Sequence, residues 1–127
     1  MQYTRDKRFL MISRITGPTH NLLQLDLEQP SSPSIEGLAA IGAMPAKPLN
    51  AELVLQHVIA GVEAANKELG TSYQVGLVRF VVDDSRPESV YEMLAFALVK
   101  HLASGGHFVE SPNNTVERGE RKNSARP

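Results

Sequence analysis

The chain has no cysteine. Disulfides, thiolate metal sites and a cysteine nucleophile are therefore excluded. It has almost no charge surplus either, with a formal net charge of −1. A protein held to nucleic acid mainly through phosphates carries a basic excess, so the composition gives no nucleic-acid signal. No apolar run approaches the length that crosses a bilayer. Charges at Arg5, Asp6, Lys7 and Arg8 have no long apolar run behind them, so no signal peptide and a cytoplasmic location are expected. No glycine-rich loop carries the lysine and serine of a phosphate cradle. The four histidines, His20, His57, His101 and His107, include no pair spaced for a helical metal site. No specific Ser-His-Asp arrangement is present, and no cofactor is expected.

What remains is a chain of 127 residues, 42% hydrophobic, enough for one core. Phe9–Ile15 is a dense apolar run that predicts a strand. Thr16–Asn21, with Gly17 and Pro18, predicts a turn. In Leu22–Glu28, Leu23, Leu25 and Leu27 alternate with Gln24 and Asp26, the period of a half-buried strand, and the two strands would form an antiparallel hairpin. Ile35–Met44 fits a short helix or a third strand. Asn50 is placed to cap a helix running to Leu69, with Gly70 as its stop. Leu55, Val58, Ile59, Val62, Ala65 and Leu69 form the expected buried stripe. Tyr73–Val82 predicts a central strand.

Ser85 and Glu88 have the spacing of a capping box opening a second helix over 87–103, which would bury Val90, Leu94, Ala97, Leu98 and Leu102. The fold class is α+β, a β-β-α-β-α two-layer sandwich. The domain would occupy residues 1–106. Residues 107–127 would be a polar tail, disordered or draped on a neighbouring subunit.

Chemistry-bearing residues are sparse. Gln24 and Asp26 share the outward face of their strand, and Met44-Pro45-Ala46-Lys47-Pro48 holds one cation in an extended bend. Either Asp26 and Lys47 meet over the sheet in a small polar site, or they are two solvated charges. His20, in the expected turn, is better placed for chemistry than the helix-borne His57 and His101. Asp83 and Asp84 point to opposite faces on an extended backbone, so one of them reads as a cap.

Four collinear pieces resemble the formaldehyde-activating enzyme family. They are Gln24-Leu25-Asp26-Leu27 with Pro30 and Ser32-Pro33 behind it, Leu38–Pro48 with its Pro45-Ala46-Lys47-Pro48 ending, Val90–Ala95, and Arg121-Lys122-Asn123-Ser124-Ala125. The resemblance implies a ribosomal protein S5 domain 2-like fold, a homo-oligomer, and a site of Gln24, Asp26, Lys47, Tyr91 and His20. Gln24 falls where the family has its catalytic histidine, and an amide is neither acid nor base near neutral pH. The chain is also shorter than the family between Pro48 and Tyr73, where part of a pterin-binding wall would lie.

The resemblance therefore implies a non-catalytic formaldehyde sensor that restrains growth through a protein partner, such as the translation machinery. A first alternative is an enzyme condensing formaldehyde with a tetrahydropterin, His20 standing in for the missing histidine. A second is a ribosome- or protein-binding module, since Tyr73–Leu102 is also similar to domain IV of elongation factor G, with Arg86 near its tip.

Overall fold

The computed structural model describes residues 1–16, 19–27, 33–38, 48–82, 84–85 and 87–110. In chain order these form β1 (Gln2–Asp6), β2 (Phe9–Thr16), β3 (Thr19–Asp26), β4 (Ser34–Leu38), α1 (Ala51–Leu69), β5 (Leu77–Val81), α2 (Val90–Ala103) and β6 (Val109–Glu110). The strands make one mixed sheet in the order β4-β5-β3-β2-β1-β6. β1, β2, β3 and β5 pair antiparallel in succession, whereas β4 runs parallel to β5 and β6 parallel to β1. A parallel neighbour needs a long crossover, and α1 supplies it between β4 and β5.

Alternation along the strands builds the core. Leu10 and Ile12 of β2, Leu23 and Leu25 of β3, and Val78 and Phe80 of β5 are all buried. They meet Val54, Val58, Val62 and Ala65 of α1 and Leu94, Ala95, Leu98 and Val99 of α2 in one cluster. The architecture is thus α+β, a mixed sheet with two helices packed on it. The capping expected for α1 is present: the Asn50 side chain accepts a hydrogen bond from Leu53 N, and Gly70 closes the helix at φ 70°. Among the described residues no helix is long and apolar enough to cross a membrane.

Several expectations need correction. The order is β-β-β-β-α-β-α-β, not β-β-α-β-α. β1 is too polar to show an apolar stripe, yet it is ordered by pairing with β2 and by Tyr3, whose ring stacks on His101 at 3.6 Å. β2 and β3 extend to Thr16 and back from Thr19, so His20 lies in a strand and not in a turn. The described part of Ile35–Met44 belongs to a strand. β5 is shorter than Tyr73–Val82 because Tyr73 is held outside the ladder by Asn66, which accepts from its N–H and donates to its carbonyl. The sheet also continues past Gly106: Phe108 is buried and Val109–Glu110 pairs with β1.

Both expected stripes pack on the core, with Leu55, Ile59, Leu69, Val90, Ala97 and Leu102 only partly buried at its edge. Val54 and Gly61 replace Leu55 and Ile59 at the centre of the α1 contact, and Tyr91, Ala95 and Val99 join Leu94 and Leu98 on α2. Gly61 lies where α1 approaches Glu92 and Ala95 of α2. A β-carbon there would lie inside the van der Waals envelope of the Glu92 carbonyl oxygen and against Ala95, so the absent side chain lets α1 approach the α2 backbone. Gly61→Ala should therefore destabilise the fold, with overpacking of about 1–3 kcal/mol outweighing a helix-propensity gain of about 1 kcal/mol. A lowered urea midpoint at unchanged m-value is the expected result.

Candidate functional site: a buried polar cluster where β3 meets α2

β3 pairs with β5 only from Leu23 to Leu25, so the N-terminal half of β3 has no β5 ladder beside it. The loop after β5 fills that position with side chains and backbone. Asp84 Oδ2 accepts from Leu22 N at 2.7 Å, standing in for a strand carbonyl. Ser85 N donates to the His20 carbonyl at 3.0 Å, and His20 N donates to Ser85 Oγ at 3.0 Å. Asn21 Nδ2 donates to the Ser85 carbonyl at 2.8 Å. The expected capping box is therefore not formed. Ser85 is committed to His20, and Glu88 accepts from Asn50 N at 2.8 Å, tying the entry of α1 to that of α2. α2 begins only at Val90, and Ser89 makes no side-chain cap.

Tyr91 enters this arrangement from the first turn of α2, fully buried, with its ring edge-on to Phe80. Its hydroxyl donates to Asp84 Oδ2 at 3.4 Å and accepts from Asn21 Nδ2 at 3.4 Å. On the other carboxylate oxygen, His20 Nε2 lies 3.4 Å from Asp84 Oδ1, with the imidazole 60% exposed. A solvent-facing imidazole and a buried phenol thus share one buried carboxylate. Asn21 is only 1% exposed, and its Oδ1 has no hydrogen-bond partner. Desolvation by burial pushes the Tyr91 phenol well above its ordinary range. The negative charges of Asp84 and Glu88 and the bond to Asp84 act in the same direction, and the bond from Asn21 opposes them.

The five residues named from sequence fall into two places and a remainder. His20 and Tyr91 meet at Asp84. Gln24 and Asp26 lie farther along β3, with the same parity as His20, opposite Met11 and Phe9 in register. The Gln24 amide donates to Met11 Sδ at 3.6 Å, and Arg79 is its neighbour on β5. Asp26 is buried and takes its cation from Arg8, whose Nε is 2.8 Å from Oδ2. Lys47 lies outside the described residues, as do Asp83 and Arg86. Leu49 N donates to the Val82 carbonyl at 2.9 Å.

Asn21 and Asp84 were not singled out as a site in the sequence. Asn21 had a usable signal: it continues the inward parity of Leu23 and Leu25, so a polar side chain falls on a buried stripe. Among the described residues no group of three potential ligands is arranged to hold a metal ion. Comparison with protein-family models, with curated proteins and with solved structures finds no match to this chain.

Because the folded chain holds the Tyr91 proton more tightly than the unfolded chain, this contribution to stability is complete below the ordinary phenol value of 10.0 and is lost as pH rises above it. The slope while folded Tyr91 stays neutral should be about 1.4 kcal/mol per pH unit. Urea melts between pH 9 and pH 11 check this, and Tyr91→Phe should remove that part of the alkaline decline.

Proposed function

We propose that this chain is a non-catalytic binder of formaldehyde in its hydrated, diol form, acting as a sensor. The observation that carries the reading is the convergence of His20 and Tyr91 on Asp84, beside the unpaired Oδ1 of Asn21. A diol offers two hydroxyls, each both donor and acceptor. The cluster offers a carboxylate, an amide oxygen and an imidazole in return, whereas a bare carbonyl would leave the Asn21 oxygen unserved. On this reading the ligand meets Asn21, Asp84, Tyr91 and His20 rather than Gln24 and Asp26.

A binder fits the local chemistry better than a catalyst. Gln24, in the position of the family's histidine, is spent on Met11 Sδ and carries no titrating proton. The resemblance to the formaldehyde-activating enzymes supplies the rest of the reading: an S5 domain 2-like form of this α+β sandwich, a cytoplasmic homo-oligomer, and a protein partner through which occupancy restrains growth.

Affinity is bounded by size. At about 1.5 kcal/mol per heavy atom, the three heavy atoms of the diol support roughly −4.5 kcal/mol, a sub-millimolar to millimolar dissociation constant. Calorimetric titration of formaldehyde into the wild-type chain should give a saturable heat in that range. Tyr91→Phe and Asp84→Asn should weaken it at least about fivefold, or about 1 kcal/mol, while Asp26→Ala leaves it within twofold. A flat titration, or equal binding by all variants, rejects the reading. Acceleration of formaldehyde condensation with a tetrahydropterin would replace it with the enzymatic one.

A further inference from the structure

A second unsatisfied polar atom belongs to the cross-strand partner of Asn21. Arg14 of β2 and Asn21 of β3 are direct cross-strand partners. Residues so paired project to the same side of a sheet with β-carbons about 4.5–5.5 Å apart. That side is the one facing the helices, since Arg14 continues the parity of Leu10 and Ile12, and Asn21 that of Leu23 and Leu25. Arg14 Nε is buried without a hydrogen-bond partner, and so is Asn21 Oδ1. A guanidinium donor and an amide acceptor on adjacent strands are complementary, yet here each is left unsatisfied. Burying such atoms unpaired costs about 1–3 kcal/mol each, and native chains rarely retain two side by side without a group that serves both.

We propose that Arg14 and Asn21 form the subsite for a small carboxylate bearing a hydroxyl on the adjacent carbon. The side-on edge of a guanidinium, Nε with one Nη, matches both oxygens of a carboxylate. A hydroxyl one carbon away then donates to Asn21 Oδ1. The cation selects for negative charge, and the amide oxygen, which accepts only, selects for a ligand that also carries a donor. A plain carboxylate leaves Asn21 Oδ1 unserved, and a neutral diol can serve Asn21 Oδ1 but brings no charge to Arg14. Arg14 is only partly buried. This subsite shares Asn21 with the formaldehyde reading but does not rest on it, because a hydroxy acid is not an aldehyde.

The test uses glycolate as probe, with acetate and ethylene glycol as the one-feature controls, followed by amide chemical shifts of the full chain. Glycolate should saturate, at least about tenfold tighter than either control, with the largest shifts at Arg14, Asn21 and their strand neighbours. Arg14→Gln, at a partly exposed position that the core does not require, should fold normally by circular dichroism and lose the glycolate response at least about tenfold. Absence of glycolate saturation overturns the proposal. So does acetate binding as tightly as glycolate, or an Arg14→Gln chain that binds like the wild type.

Discussion

Asp84 does the work of a missing strand. Where β5 leaves β3, its carboxylate accepts the Leu22 N–H that a ladder carbonyl would otherwise have taken, and the Tyr91 hydroxyl donates to the same oxygen. Burying an ionised carboxylate is costly unless donors surround it. The requirement fixes several elements together: the loop must bring Ser85 against His20, β3 must present its backbone, and α2 must start where Tyr91 can point inward. Tyr91 in turn orients the first turn of α2 over Phe80. Glu88 extends the same device by holding Asn50 N, so the entries of both helices are set from one polar end of the molecule.

The parts of this fold that were legible in the sequence are those governed by local rules. Asn50 and Gly70 delimit α1 because cap and stop are one-residue chemistry. β2, β3 and β5 show themselves through apolar density. What escaped was set by distant partners. β1 is polar and becomes a strand because β2 and the ring of His101 are there to receive it. Ser85 and Glu88 have the spacing of a capping box, but His20 and Asn50, far away in sequence, bind them instead. The turn expected over Thr16–Asn21 was overstated in length, because pairing with the opposite strand holds Thr16 and Thr19 in the ladder.

The site was legible in a different way. Alternation along Leu22–Leu27 drew attention to Gln24 and Asp26 as outward polar groups, and outward polar groups are ordinary. The informative departures were inward: Arg14 after Leu10 and Ile12, and Asn21 before Leu23 and Leu25. A polar residue on a buried parity must find a partner or a purpose. Asp26 is buried even though its parity is outward, and it pairs with Arg8 of the two-residue turn at Lys7-Arg8, where Lys7 takes a positive φ of 57°. That contact depends on turn geometry, which residue spacing alone does not express.

The two sides of β3 therefore differ in what they leave for a ligand to gain. On one side, the Asp26 carboxylate already has the Arg8 guanidinium at 2.8 Å, and an incoming anion or cation would have to break a formed ion pair before making its own. On the other, Arg14 Nε and Asn21 Oδ1 are desolvated in the folded chain and matched to nothing. The penalty for removing them from water is already present before any ligand arrives, so a group that satisfies both recovers it on binding. That difference favours recognition at the helix-facing side of β3, where Asp84 and Tyr91 add further donors and acceptors, over the part of the strand that Asp26 and Gln24 occupy.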